Sequence, residues 1–317
     1  MTAARGGSAQ DGGPRFAREA VIFVLIAGVA CATSGPLARY GRPAHPLMIA
    51  FGRVALAALI LWAADLRGMI VSVRALTARQ RAQIAGAGAL LAAHFGLFLW
   101  GLDNTSLPAA VALVSLEPLS VVLVAWAIHG IRPKRLEQLG VLAATGGAVL
   151  VASGAGAGEH RLDGDLLVIG AVFLYGFYVS AARSLAGALP ARHYAALVYS
   201  SAAVVLAAAL LCAPAREGSV VWPIPSNALI AILALALIPT IIGHTAVQTA
   251  ARRLSPSVVA LVCPGETLGG LAIGATMLGA VPTAVELAGA AIVLAGSTLT
   301  IFGAGAVAPS HAARPRS

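Results

Sequence analysis

"ALVSLEPLSVVLVAW" (residues 112–126) is apolar nearly throughout, yet it sets a carboxylate, Glu117, directly before a proline, Pro118. A second stretch, "ALVCPGETLGGLAIG" (260–274), does nearly the same with Glu266. An ionised carboxylate at the centre of a bilayer costs about 2.5–3.5 kcal/mol on insertion scales. It survives there by facing a wet cavity, by pairing with a cation, or by taking up a proton. Pro118 denies a hydrogen bond to the carbonyl of Val114, and Pro264 denies one to that of Ala260. Backbone freed at that depth is tolerated only against protein or beside water.

The rest of the chain belongs to the same apolar setting. Of 317 residues, 59% are hydrophobic and 10% charged, and the mean hydropathy is +0.89. Soluble domains carry about 25% charged residues, so a water-soluble core is excluded. Apolar runs long enough to cross a hydrocarbon layer of about 30 Å recur along the chain. The short alternating segments of a transmembrane barrel do not. The sequence therefore describes an all-α polytopic membrane protein. The pI near 10.5 comes from basic residues scattered over short loops. They gather on no single face, so topology and not nucleic acid accounts for them. Cys31, Cys212 and Cys263 fall in apolar runs at unrelated spacings and read as small buried hydrophobes, with no metal or redox motif. "AGVAC" (27–31) does not fit lipidation at Cys31, because a long leader containing acids precedes it and Gly28 stands where a large aliphatic is expected. The first apolar run is read as a retained helix.

Ten spans are predicted, at about 20–38, 46–65, 84–102, 107–128, 138–155, 166–185, 195–213, 227–250, 257–279 and 284–303. With a cytoplasmic N-terminus, the inner segments hold Arg5, Arg15, Arg18, Arg67, Arg74, Arg79, Arg81, Arg132, Lys134, Arg135, Arg183, Arg192, Arg252, Arg253, Arg314 and Arg316. The outer segments hold Arg39, Arg42, Arg161 and Arg216. This asymmetry puts both termini inside, as an even number of spans requires, in a cell (inner) membrane.

A shift of 149 residues lays the fourth and fifth spans on the ninth and tenth. It pairs Glu117 with Glu266, Gly130 with Gly279, Pro133 with Pro282, Glu137 with Glu286, Gly140 with Gly289 and Gly147 with Gly296. One-residue slips in opposite directions pair Pro108 with Pro256 and His94 with His244. Ala, Leu and Val matches mean little in such a chain, whereas Glu, Pro and His matches point to duplication. Five spans per copy is an odd number, so the second copy enters the membrane upside down. The expected layout is a polar tail (1–19), a five-helix repeat (20–155), an inverted five-helix repeat (164–303) and a second tail (304–317), both tails cytoplasmic.

The chain resembles the drug/metabolite transporter superfamily in its ten-helix EamA-type exporters. The resemblance is carried by "AHFGLFLWGLDNTSLPAAVALVSLEP" (93–118), "GDLLVIGAVFLYGFYVSAARSL" (164–185), "GHTAVQTAARRLSPSVVALVCPGE" (243–266) and "AVELAGAAIVLAGSTLT" (284–300). It spans essentially everything after residue 19. It implies a secondary transporter exporting a small metabolite such as an amino acid, with cationic drugs as the alternative cargo. One departure stands out. The resembling exporters read Gly-Glu-Pro in the ninth span, whereas here Pro264-Gly265-Glu266-Thr267 puts the breaker before the acid.

Glu117 and Glu266 are the first candidates for a substrate or proton pathway, and the competing reading is a protonated glutamate locked between helices. Arg53, about eight residues into the second span, attracts an anionic group, pairs with a buried acid, or snorkels to the outer interface. His94 and His244 read either as proton relays or as hydrogen-bonded packing residues. Tyr175 and Tyr178, three apart, share a face that lines a cavity or simply packs. Pro118, Pro239 and Pro264 are the expected helix breaks. Gly265, Gly269, Gly270 and Gly274, in pairs four apart, allow close helix approach. No metal site, cofactor or nucleotide loop is expected, and no convergent catalytic set supports an enzyme. The partners are a small-molecule substrate and the lipid bilayer. Duplication supplies both halves of a site in one chain, so a monomer can suffice without a dimer being excluded. Glu117→Gln is expected to lower transport while leaving abundance in the membrane near normal; full activity in that variant would remove Glu117 from the mechanism.

Overall fold

A computed structural model describes residues 14–130, 132–156, 158–184, 189–213, 221–251 and 262–305. These residues are helical, with no β-strand among them. The helices are α1 (Pro14–Ala32), α2 (Ser34–Tyr40), α3 (Pro46–Ala64), α4 (Leu66–Ala75), α5 (Ala78–Asn104), α6 (Leu107–Val114), α7 (Glu117–His129) and α8 (Arg135–Ala152). They continue as α9 (Leu162–Ser184), α10 (Ala191–Cys212), α11 (Ser226–Leu235), a π-helical segment (Ala236–His244), α12 (Thr245–Ala251), α13 (Val262–Leu278) and α14 (Ala284–Gly305). Eight spans among the described residues are long and apolar enough to cross a membrane, and Val24–Tyr40 is a shorter apolar helix.

Local chemistry sets the helix ends. Thr77 and Gln80 form a capping box that opens α5, and Thr283 and Glu286 do the same for α14. Ser106 caps α6 by accepting from the Ala109 amide at 3.1 Å. The break expected at Pro118 is a turn at Ser115–Leu116, where the amides of Ser115 and Leu116 fall back to three-residue bonds on Ala112 and Leu113. Helix α4 was not foreseen, since its mixed composition reads as a loop. Asp65 starts it by accepting from the Gly68 amide at 3.0 Å.

The tightest packing is between α8 and α14, which run antiparallel. Near one end Gly303 lies against Glu137, and near the other Gly289 lies against Val151. Between them the backbones touch. A Cβ on Gly296 would stand 2.4 Å from the Ala144 nitrogen, and one on Gly140 would stand 2.6 Å from the Gly296 carbonyl oxygen. A Cβ on Gly147 would stand 2.9 Å from the Gly289 oxygen. These are the glycines that the 149-residue shift pairs, and they meet crosswise: Gly140 faces Gly296 and Gly147 faces Gly289. Exchanging the two copies reproduces the contact. Gly130 and Gly279, another shifted pair, both adopt a left-handed backbone, at φ +66° and +65°.

Elsewhere α5 packs on α9 and α10, and α3 on α10. Charges sit at the two ends of the bundle. At one end Arg42 Nε meets Asp103 Oδ1 at 2.6 Å, Arg39 pairs with Glu159, and the His160 ring stands between Asp165 (2.8 Å) and Glu286 (3.5 Å). At the other, Asp65 Oδ2 accepts from Arg192 Nη2 at 2.5 Å and from His193 Nε2 at 3.0 Å. The His193 hydrogen bond, with the Gly68 amide behind it, holds the Asp65 carboxyl below the usual carboxylate range.

Gly296→Leu should lower the unfolding midpoint in detergent–lipid micelles by an amount corresponding to about 3 kcal/mol or more, since nothing but backbone is there to move. The same change at Gly146, where a Cβ would meet nothing within 4 Å, should be nearly silent.

Candidate functional site

A small cavity, with about 20 Å³ open to water, is lined by Cys31, Ser34, His94, Phe95, Phe98, Val114, Glu117, Tyr175, His244 and Glu266. Its walls come from α1, α2, α5, α6, α7, α9, the π-helical segment and α13. Five of the residues singled out from sequence meet here: Glu117, Glu266, His94, His244 and Tyr175.

Glu117 is buried in the first turn of α7, where the exposed amide ends of a helix favour a negative charge. Cys263 Sγ donates to its Oε2 at 3.3 Å. Glu266 is half-buried in the early turns of α13 and has no hydrogen-bond partner among the described residues. The two carboxylates are close enough to repel each other, and Glu266 feels the attraction of Arg53. His94 Nδ1 donates to the Ala171 carbonyl at 2.8 Å, which fixes the proton on that nitrogen. The rings of His94 and His244 lie 6.3 Å apart, with Phe95 4.9 Å from His244 and Tyr175 5.2 Å from His94. The buried Nδ1 of His244 has no hydrogen-bond partner.

Arg53 departs from two of its expected readings. It has no solvent exposure, so it does not snorkel, and among the described residues no carboxylate lies within ion-pair distance. Its Nε donates to Thr240 Oγ1 at 3.0 Å and its Nη1 to Ser34 Oγ at 3.1 Å, while its carbon lies 4.0 Å over the Phe95 ring. Tyr178 shares a helix face with Tyr175 yet does not reach the cavity; it is fully buried and hydrogen-bonded to Gln248.

Each helix break is repaired by a side chain. At Pro239 the chain widens into a π-helical segment, and the Leu235 carbonyl that the proline strands accepts from Thr240 Oγ1 at 2.7 Å. The Thr240 carbonyl in turn accepts from Tyr199 at 3.0 Å. At the α6–α7 turn, Ser297 of α14 donates to the Ser115 carbonyl, and Thr267 of α13 reaches the Val111 carbonyl at 3.4 Å. Pro264 lies near the described start of α13, and the Ala260 carbonyl that it would free lies outside the described residues. The partners that sequence reasoning missed are Ser34, Phe95, Thr240, Thr267 and Ser297. Cys31 and Cys263 are buried as expected, Cys31 on the cavity wall and Cys263 against Glu117, whereas Cys212, also read as buried, is exposed at the end of α10.

A helical membrane bundle with paired acids at a central cavity defines a membrane transporter of the drug/metabolite type. The model of the EamA-like transporter family matches residues 18–153 and again 162–302, and the chain belongs to that family, within the drug/metabolite transporter superfamily. No curated protein matches the chain. A crystal structure of a protein 19% identical in sequence aligns over 91% of this chain and 98% of its own with a TM-score of 0.65, a likeness of fold alone.

Thr240→Val should destabilise the protein by about 1–3 kcal/mol, because it strands the Leu235 carbonyl and strips Arg53 of one acceptor. Thr240→Ser, which keeps the hydroxyl, should unfold near the wild-type temperature.

Proposed function

We propose that this chain is a secondary transporter that exports a small metabolite such as an amino acid by alternating access around the central cavity. In this reading ten spans form two inverted five-helix repeats, residues 20–155 and 164–303. Both terminal tails are cytoplasmic, and the protein lies in the inner membrane. Support for the inversion comes from the crosswise, antiparallel glycine contact of α8 with α14. Support for ten spans comes from adding Val24–Tyr40 and the 17-residue α13 to the eight longer ones.

The observation that carries the reading is the shared cavity: Glu117 and His94 from one family-matched half and Glu266 and His244 from the other line a single space. The space open to water is about 20 Å³, room for about one water, so a solute enters only when the halves move apart. The charged clusters at the two ends, Arg39–Glu159 with Arg42–Asp103 on one side and Asp65–Arg192 on the other, stand where gates would open and close. Export of cationic drugs is the second reading, favoured by the two facing carboxylates. An enzyme or a non-transporting scaffold has less behind it, since the family matched is one of transporters.

Proteoliposomes test this. The purified protein should equilibrate a labelled amino-acid mixture across the bilayer without chemical change, and Glu117→Gln/Glu266→Gln together should slow it about tenfold or more at equal reconstitution. Chemical conversion of the solute would make the protein an enzyme, and no movement of any amino acid or organic cation would remove transport.

A further inference from the structure

Arg53 carries a buried positive charge that no described carboxylate meets at ion-pair distance, Glu266 acting on it only from further off. A guanidinium keeps its proton at any ordinary pH. Taking one out of water costs several kcal/mol unless a counter-ion or a full set of acceptors replaces the lost solvation. Two hydroxyls and one ring face serve Arg53, and its Nη2 is buried with no acceptor. Its three anchors are arranged around the cavity: Ser34 and Phe95 line it directly, and Thr240 lies in the same π-helical segment as His244, which lines it too. The unpartnered Nδ1 of His244 is a second polar atom without a bond on this wall. Phe95, Phe98 and Tyr175 supply apolar rings beside these polar atoms, and Glu117 and Glu266 supply negative charge elsewhere on the lining. Arg53 thus has one free arm and no ion-paired carboxylate among the described residues; it lies just behind the lining, with Phe95 between it and the cavity, so a solute reaches it only once that ring moves aside.

We infer that Arg53, braced by Ser34 and Thr240, is the receptor for a carboxylate on the transported solute, with the aromatic rings receiving an adjoining apolar group. The inference rests on the transport reading of the same cavity and narrows its cargo to carboxylate-bearing solutes. A charge-assisted hydrogen bond from the free Nη2 suits a carboxylate oxygen, and burial strengthens it. Glu117 and Glu266 then decide whether an ammonium group is tolerated beside the carboxylate, which separates zwitterions from simple acids.

The test is equilibrium binding to the full chain in lipid nanodiscs, read by thermal stabilisation. The probes are four compounds sharing one phenyl group: phenylalanine, 3-phenylpropionate, 3-phenylpropionamide and phenethylamine. At least one of the two carboxylates should bind about tenfold or more tighter than both the amide and the amine. Zwitterion preference shows as phenylalanine over phenylpropionate, and simple-acid preference as the reverse. Arg53→Gln should erase the carboxylate advantage while leaving amine binding unchanged or tighter, and Arg53→Lys should restore part of it. Because the wild-type ranking alone is decisive, poor folding of a variant does not rescue the idea. Equal or tighter binding of the amine or amide in the wild type, retention of the carboxylate advantage in a folded Arg53→Gln protein, or no binding of either carboxylate at about 10 mM would each overturn it. Flux measured in parallel keeps the two readings apart. Carboxylate-selective binding without flux defeats transport but not this site; flux without carboxylate selectivity defeats this site but not transport.

Discussion

The bundle is organised by the backbone contact between α8 and α14. Lipid tails are as apolar as leucine, so helices in a membrane gain little by hiding apolar side chains from them. Close van der Waals approach has to hold them together. Gly140, Gly147, Gly289 and Gly296 allow that approach by having no side chain, and they do it in pairs that exchange under the internal repeat. A contact of this kind fixes the direction of two helices relative to each other.

Residues of the two family-matched halves meet at one cavity. Glu117 and Glu266 come to one cavity, as do His94 and His244. The helix breaks near them are not loose. Where the chain interrupts its hydrogen-bond ladder, a hydroxyl closes the gap, and at the α6–α7 turn that hydroxyl belongs to the other half: Ser297 and Thr267 satisfy carbonyls of the first. Around Pro239 the repair is local, with Thr240 serving both the freed carbonyl and Arg53. Irregular backbone inside a bilayer is permitted where protein or water receives it, and these side chains meet that condition.

The sequence carried the repeat and the membrane class because rare residues, Glu, Pro and His, recur at one spacing against a monotonous apolar background. That spacing also located the two acids and two histidines now found together. What it could not carry was anything set by distant partners. Arg53 finds its acceptors 19 residues before it and 187 after it, so no local reading separates a snorkelling arginine from one sealed beneath Phe95. Tyr175 and Tyr178 share a helical face by spacing, yet the curve of the wall admits only the first. The π-helical segment leaves no trace in composition beyond Pro239. Helix α4 hides in a stretch whose charges look like those of a loop.

The central claim is that acids from both halves border one hydrated space inside the membrane. Its most direct measurement uses a native thiol on the cavity wall, Cys31. Reconstituted protein would be treated with a water-soluble, membrane-impermeant methanethiosulfonate, and the modified residue located by peptide mass spectrometry. The account predicts that Cys31 is modified in the intact membrane. Modification of Cys31 by lipid-soluble maleimide alone, or only after denaturation, would contradict it.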